Sequence, residues 1–206
     1  MHLKRVKRME LVLASGNRGK LEEFRELLEH EIRSMSELCG DIEIEESADT
    51  FAGNALIKAR AVYERVGEGY IVISDDSGIS VPRLGGEPGI FSARYAGEGA
   101  DDRENLLHLI SKLQERGIER TPAYYTAAIA IKSSLGEYVV HGWMHGDVIA
   151  QIRGDGGFGY DPCFIPEGYE KSLGELEKSV KSEISHRARA LELAKPILKM
   201  LERVRT

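Results

Sequence analysis

The stretch YIVISDDSG, from Tyr70 to Gly78, runs from apolar and β-branched residues directly into two carboxylates. Its first five residues predict a buried strand. Asp75 and Asp76 stand where that strand is expected to end, before a turn at Gly78. Because side chains alternate across a strand, the two acids should point to opposite faces. Two interpretations of this strand end stay open, a solvated turn and a site for a divalent metal ion.

The segments around this stretch predict an α/β protein with a mixed sheet. Short apolar runs predict strands at residues 10–14, 42–45, 70–74 and 79–84 and, as two or three antiparallel strands, at 123–150. Helical spacing predicts helices over residues 20–30, 50–66, 101–117 and from 185 towards the end. Asp101 with Glu104 has the spacing of a capping box, Ser185 suits an N-cap, and Pro196 predicts an interruption or kink in the last helix.

Length and charge restrict the classes of protein that fit. A chain of 206 residues with 42% hydrophobic and 30% charged residues predicts one globular domain over residues 1–206. The net charge of -6 argues against nucleic acid or an anionic membrane surface as a partner, and no run reaches transmembrane length. Residues 1–8 are interpreted as a possible extension, with Met9 as an alternative start.

The two cysteines, Cys39 and Cys163, are far apart and outside any CxxC spacing. This pattern argues against a disulfide framework or a thiolate zinc site, so a cytoplasmic location is expected.

The turn SGNRGK, Ser15 to Lys20, connects the first predicted strand to the first predicted helix. Backbone N–H groups at a helix start favour anions, so the turn is a candidate phosphate site. It is not a Walker A loop, because only two residues separate Gly16 from Gly19 and Leu21 follows the lysine. An ordinary connecting turn remains the alternative.

Acidic pairs predict a metal site that uses oxygen ligands. Asp75 and Asp76 end one predicted strand, and Glu45 and Glu46 end another. Mg²⁺ is usually held by one or two carboxylates together with substrate phosphates. Solvated strand ends are the alternative for each pair.

Two further segments have the composition of a site for a flat ligand. GGFGYDP places Phe158 and Tyr160 between glycines and next to Asp161, which suits stacking on a base. SHR places His186 and Arg187 at a helix start, where cations are unfavourable unless a carbonyl oxygen or phosphate binds nearby. The alternatives are aromatic anchors of a loop and surface side chains. No GxSxG elbow occurs, which disfavours covalent catalysis.

Five segments in order, ASGNRGK, TFAGNALIKA, DDSGISVPRLGGEPGIFSARYAG, GFGYDPCFIP and KSEISHRARAL, resemble the Ham1 family of inosine triphosphate (dITP/XTP) pyrophosphatases. The resemblance implies an elongated mixed β-sheet with flanking helices and two lobes around a central cleft, and it implies a homodimer. It also implies Mg²⁺-dependent hydrolysis of ITP, dITP and XTP to the monophosphate and pyrophosphate, which cleanses the nucleotide pool.

The resemblance also assigns roles to single residues. Asp76 corresponds to the catalytic carboxylate and, with Glu46, to the Mg²⁺ ligands. The residues implied to hold the phosphates or lie beside them are Ser15, Gly16, Asn17, Arg18, Gly19, Lys20, Lys58 and Ser77. Those implied at the base and sugar are Phe158, Gly159, Tyr160, Asp161, Lys181, His186 and Arg187. The chain departs from the family at Gly53, where many relatives carry Glu, and in the segment before SHR that contains Lys181.

Two other functions were weighed against this one. The first is a Maf-like nucleotide pyrophosphatase with a different base preference, which the SGNRGK turn disfavours. The second is a nucleotide sensor without hydrolysis, which Asp76, Glu46 and Lys20 together disfavour. Whether Asp76 acts first as base or as metal ligand stays open at the level of sequence, as does the ranking among ITP, dITP and XTP.

Overall fold

The computed structural model describes residues 10–28, 30–40 and 42–203; the possible extension over residues 1–8, and Met9, lie outside this range. The strands are β1 (Glu10–Leu13), β2 (Ile32–Ser34), β3 (Tyr70–Ser80), β4 (Arg120–Ser133), β5 (Gly136–Ile149) and β6 (Phe164–Pro166). The helices are α1 (Arg18–Leu27), α2 (Met35–Cys39), α3 (Phe51–Val66), α4 (Asp102–Glu115), α5 (Lys178–Ile184) and α6 (His186–Arg203).

The strands form one six-stranded sheet in the order β2-β1-β3-β4-β5-β6. β1 pairs in parallel with β2 and with β3, whereas β5 and β6 are antiparallel. Only two residues connect β4 to β5, a connection that joins antiparallel neighbours. The predicted mixed-sheet α/β fold is therefore confirmed, and residues 123–150 contribute two long strands.

β3 continues through the two acids, contrary to the prediction that it ends there. The strand includes Gly78 and reaches Ser80. The separate strand predicted over residues 79–84 is therefore wrong, because its first two residues belong to β3 and Pro82–Leu84 form a short 3₁₀ helix. The acidic pair lies inside a buried strand.

Gly78 permits a close backbone approach, and the predicted turn at this residue is absent. A Cβ atom here would stand 2.5 Å from the carbonyl oxygen of Gly89 and would also collide with the Ser92 side chain. The Ser92 hydroxyl donates to that carbonyl at 2.6 Å and accepts from the amide of Ile79 at 3.0 Å. This packing excludes any side chain at position 78.

The strand predicted at residues 42–45 is wrong, although its alternation is real. Ile42 and Ile44 are half-buried and pack against the core beside α3, while Glu43 and Glu45 are exposed. The segment belongs to no strand of the sheet, because the parallel partner of β1 on this side is the three-residue β2. β2, with three residues, and α2, with five, are too short to show a hydrophobic periodicity and were not predicted from the sequence.

The longer helices follow the sequence prediction closely. α4 has the capping box, since Asp101 accepts from the Glu104 amide and Glu104 accepts from the Asp101 amide, both at 2.8 Å. The Ser185 hydroxyl accepts from the Ala188 amide at 3.0 Å and caps α6. α6 contains Pro196 and continues to Arg203, so the helix is not interrupted there.

The chain divides into two compact units. The first holds residues up to Asp76, residues 128–141 and residues from 189 onward; the second holds residues 77–127 and 142–188. Each has its own apolar core, around Val12, Val62 and Val72 in the first and around Leu109 and Phe164 in the second. The single two-lobed domain over residues 1–206 stays a prediction. Within the part of the chain that the structure describes, no helix has both the length and the apolar character needed to span a bilayer.

Candidate functional site

The turn between β1 and α1 presents the start of a helix to its surroundings. The Asn17 side chain caps α1 by accepting from the Lys20 amide at 3.1 Å, and the Asn17 amide donates to the Ser15 hydroxyl at 3.1 Å. Gly16 and Gly19 are exposed. Arg18 is the first residue of α1, but its side chain lies outside the described part of the structure. An exposed helix start of this kind suits a phosphate group.

Lys20 lies on α1 and reaches back to the sheet. Its ammonium lies 2.6 Å from Oδ2 of Asp75, whose side chain is fully buried on β3. A carboxylate in this position holds the lysine at the start of the helix. Asp75 therefore has a lysine partner, and the structure favours a positioning role for this acid over the metal-ligand role considered from sequence.

Lys58 of α3 joins the two other acids that the sequence singled out. Its ammonium lies 3.1 Å from Oε1 of Glu46 and 3.0 Å from Oδ1 of Asp76. Asp75 and Asp76 thus engage lysines from different helices, as expected from their alternation on β3. Burial lowers the pKa of Lys58, but the charges of Asp76, Glu46 and Asp75 outweigh it, so the pKa is raised and the lysine stays charged.

Asp76 has the properties of a functional carboxylate. Burial raises its pKa above the usual range for an aspartate, the charge of Lys58 opposes this shift, and the charge of Glu46 adds to it. Its Oδ2 atom is buried and has no hydrogen-bond partner among the described residues. A buried acid with a raised pKa and an oxygen without a partner among the described residues is typical of active sites.

The carboxylates of Glu46 and Asp76 fit a divalent cation that prefers oxygen ligands. Both carboxylates form an ion pair with the Lys58 ammonium, so they already bind one cation. The Oδ2 atom of Asp76 is buried and has no hydrogen-bond partner among the described residues. No cluster of three His, Cys, Asp or Glu side chains suited to a metal was found among the described residues. An ion held here would need ligands from the substrate, as is usual for Mg²⁺ at phosphate sites.

The second group of predicted residues lies in the second unit, around the loop before β6. Asp161 accepts from the Phe158 amide at 2.9 Å and forms an ion pair with Lys181 of α5. The Lys181 ammonium stands 4.2 Å from the centroid of the Phe158 ring, which is 43% exposed. The Gly159 amide donates to Asp102 at 3.2 Å. These bonds hold an aromatic face open at the surface of the unit.

Tyr160 differs from its neighbour Phe158. It is only 5% exposed, and its hydroxyl donates to the Ser92 carbonyl at 2.7 Å. For Tyr160 the structure supports the alternative considered above, an aromatic residue that anchors the loop to the core. Phe158 keeps the geometry expected of a stacking residue.

His186 and Arg187 are buried, so the interpretation of these two residues as surface side chains is wrong. Arg187 is 1% exposed, donates from Nη2 to the Ser77 hydroxyl at 3.0 Å, and has its guanidinium carbon 6.0 Å from the Phe158 ring centroid. The His186 ring stacks on Tyr125, with centroids 4.7 Å apart and 13° between the planes. A buried guanidinium needs polar partners, which makes Arg187 a strong candidate for ligand recognition.

Sequence reasoning missed three residues of these surroundings. Tyr125 and Asp102 lie far along the chain from the residues they support, and no local pattern marks either one. Asp102 directly follows Asp101, the N-cap residue of α4. The sequence around it was therefore interpreted as a helix start, and its hydrogen bond to the Gly159 amide was not expected. The third is Ser92, whose backbone carbonyl accepts the hydrogen bond from the Tyr160 hydroxyl. Every residue has a backbone carbonyl, so the sequence gives no sign of this contact.

A cavity of about 480 Å³ also lies in the second unit. Its lining includes Arg120, Tyr124, His145 and Asp147, and none of the predicted site residues contributes to it. The chemistry lies with the buried acids, lysines and Arg187, so the cavity is not the candidate site.

This chain is similar to known proteins along nearly its whole length. The sequence model of the Ham1 family matches residues 11–197. A dITP/XTP pyrophosphatase of Sulfurovum sp. (strain NBC37-1) is 62% identical over 199 residues, covering 94% of this chain and 95% of the relative, and one of Sulfurimonas denitrificans is 56% identical, covering 94% and 100%. The Ham1 protein structure from Staphylococcus aureus superposes with a TM-score of 0.82 at 36% identity, covering 93% of this chain and 99% of the other. A HAM1 protein from Coxiella burnetii gives a TM-score of 0.83 at 35% identity, with the same coverage. With its motifs matched along nearly the whole sequence and its fold matched by solved relatives, this chain belongs to the Ham1 family.

Proposed function

We infer that this protein hydrolyses the non-canonical purine nucleoside triphosphates ITP, dITP and XTP to the monophosphate and pyrophosphate, and so cleanses the nucleotide pool. The observation that carries this conclusion is the ion pair of the buried Asp76 with Lys58, in a chain whose 62% and 56% identical relatives bear the name dITP/XTP pyrophosphatase.

The residues of the first unit are assigned to the triphosphate. The exposed start of α1, residues 15–20, offers backbone donors, and Lys20 and Lys58 offer two ammonium groups. Phosphoryl transfer is catalysed mainly by positioning and by offsetting the negative charge of the phosphates. The net charge of -6 makes such local positive groups necessary for an anionic substrate.

We propose that Asp76 and Glu46 hold Mg²⁺ once the substrate supplies phosphate oxygens. The ion would neutralise part of the phosphate charge. Lys58, which both carboxylates now contact, would then be released towards the phosphates.

Asp76 is also proposed to accept the proton of the attacking water. The new bond joins the water oxygen to the α-phosphorus, the bond from the α-phosphorus to the bridging oxygen breaks, and pyrophosphate leaves. A raised pKa suits a general base that must take up a proton near neutral pH.

Base selection is assigned to the second unit. Arg187 and His186 offer donors to the 6-oxo group of inosine or xanthosine, beside the open face of Phe158. Adenine has an amino group at this position and would leave buried donors without partners, a mismatch that can discriminate by roughly 10⁴-fold.

We also propose a homodimer and a cytoplasmic location. The family resemblance supports the first, and the two free cysteines, Cys39 and Cys163, fit a reducing compartment. Light scattering of the purified protein would measure the oligomeric state, and a monomer at micromolar concentration would overturn the first proposal.

The function is tested by product analysis after incubation with ITP and Mg²⁺, with ATP and GTP in parallel and a chelator as control. IMP and pyrophosphate should form from ITP, with little product from ATP or GTP and none with the chelator. IDP with orthophosphate would place the attack at the γ-phosphorus and overturn the mechanism. ITP binding without turnover would instead support a nucleotide sensor.

A further inference from the structure

Tyr125 is a buried aromatic residue of β4 that makes ring contacts on two sides. It stacks face to face on His186, with centroids 4.7 Å apart, and meets the Phe164 ring edge to face at 4.9 Å and 68°. Tyr125 is 7% exposed and His186 is 6% exposed. The imidazole is therefore held against a ring that a second aromatic residue fixes in turn.

We propose that Tyr125 is a positioning residue for base selection, which acts by fixing the plane of the His186 imidazole. This inference rests on the proposed function, in which His186 meets the purine base. Hydrogen bonds weaken steeply when the donor is misdirected, so a ring free to rotate would discriminate poorly between a 6-oxo and a 6-amino group. A parallel stack allows the imidazole to slide slightly but resists rotation out of the plane.

The Tyr125 hydroxyl is not needed for this role. It is buried and has no hydrogen-bond partner among the described residues, and burial raises its pKa well above the usual range, so the group remains neutral. Removal of the hydroxyl leaves the stacked ring in place. Tyr125→Phe is therefore a conservative variant that should retain the function, whereas Tyr125→Leu removes the aromatic face.

The experiment compares kcat/KM for ITP, which has a 6-oxo base, and for ATP, which has a 6-amino base, in the wild-type protein, Tyr125→Phe and Tyr125→Leu. The ratio of ITP to ATP should stay within about 2-fold of the wild-type ratio in Tyr125→Phe and fall roughly 3- to 10-fold in Tyr125→Leu, the range expected for loss of an aromatic pair. Leu109→Ala, in the same apolar core, is the stability control and should keep the wild-type ratio even though it melts earlier.

A double-mutant cycle separates positioning through His186 from a general loss of structure. In a His186→Ala background, Tyr125→Leu should change the ITP to ATP ratio no further. An equal fall in both backgrounds, or a wild-type ratio in Tyr125→Leu, would overturn the proposal. If the wild-type protein does not convert ITP to IMP, the proposed function fails. The role of Tyr125 is then still tested by the NMR signals of the His186 ring, which should move in Tyr125→Leu and stay near their wild-type positions in Tyr125→Phe.

Discussion

Asp75 and Asp76 are neighbours in sequence and both are buried, but they contact different lysines and differ in their proposed roles. Asp75 has a lysine of α1 as its partner at 2.6 Å, while Asp76 shares a lysine of α3 with Glu46 and has one oxygen without a partner in the part of the chain that the structure describes. The difference follows from strand alternation, which turns the two side chains to different helices. Only Asp76 combines a raised pKa with a place for a further ligand.

The first prediction concerns this division of roles. Asp76→Asn should lower kcat for ITP by roughly 10²- to 10⁴-fold, because the amide cannot act as the base. Asp75→Asn, the matched control, leaves Lys20 without its counter-ion and should raise KM more than it lowers kcat. Steady-state kinetics with ITP would measure both. A near-normal kcat in Asp76→Asn would contradict the catalytic assignment.

A second prediction follows from the position of the Lys58 ammonium between two carboxylates. In nucleotide-free protein a divalent cation must compete with this lysine, so Lys58→Met should bind Mn²⁺ roughly tenfold more tightly than the wild-type protein. Electron paramagnetic resonance of free Mn²⁺ measures the affinity directly. Lys20→Met removes the same charge but spares this pair of carboxylates, and an equal gain there would argue against direct competition.

At the scale of elements, α3 begins at an unusually tight junction. A Cβ atom on Gly53 would lie 2.5 Å from the Cβ of Ala48 and 3.0 Å from the Thr50 hydroxyl. The close segment that precedes the helix therefore leaves no room for a side chain at this position.

The third prediction tests that junction. Gly53→Ala should lower the free energy of unfolding by about 1 kcal/mol or more, although the same change in an open helix stabilises by about that amount. Urea denaturation measures the effect. Ala48→Gly in the same chain should recover most of the loss, and Gly69→Ala, where nothing lies within 4 Å, should be close to neutral. If Gly53→Ala were as stable as the wild-type protein, the segment around Ala48 would have to move aside at no cost, and the prediction would be wrong.

A fourth prediction concerns the ion pair between α3 and β5. Arg60 binds both carboxylate oxygens of Glu137, at 2.9 and 2.6 Å, and this bond lowers the pKa of Glu137 to about 2. The depressed value means that the pair stabilises the fold above the ordinary pKa of a glutamate and loses this effect as pH falls towards 2. Because Arg60 is half exposed, Glu137→Gln should lower the free energy of unfolding at pH 7 by only about 0.5–1 kcal/mol.

The difference between wild type and Glu137→Gln should shrink steadily between pH 5 and pH 3, as judged by denaturation at each pH. Glu68→Gln, an exposed acid ahead of β3, is the control. If the difference in free energy of unfolding between the two proteins grew as the pH fell, the result would contradict a lowered pKa of Glu137.

These elements also show what sequence can and cannot predict. α3 and α4 were predicted because periodicity and capping act within one helix, and the loops around Ser15 and Phe158 were selected as candidate sites because glycines and polar groups are concentrated there. The segment at residues 42–45 has the alternation of a strand, but strand formation requires a partner that only the whole sheet supplies. The stack of Tyr125 on His186 joins residues sixty-one positions apart, which no local pattern reveals.

At the scale of the whole molecule, the chain passes between its two units four times, after residues 76, 127, 141 and 188. Neither unit is a continuous segment of sequence. Each core is therefore completed only by chain from both halves of the protein, and we expect the two units to fold as one cooperative system.

The fifth prediction tests that cooperativity. Trp143 is the only tryptophan and belongs to the second unit, so its fluorescence reports on that unit, whereas far-ultraviolet circular dichroism reports on all helices and strands. Urea unfolding followed by the two signals should give the same midpoint. Two separated midpoints would show that the units unfold independently.

The close approach at Gly78 has a consequence for the mutational history of the protein. Every missense change of a glycine codon adds at least a methyl group, and here even a methyl carbon would stand 2.5 Å from the Gly89 carbonyl oxygen, which is well inside van der Waals contact. Even alanine, the smallest replacement, should therefore be poorly tolerated at this position. A lineage that lost this glycine would lose the strand that carries Asp76 and Ser77, so purifying selection at position 78 would resemble selection on a catalytic residue although Gly78 has no side chain to react.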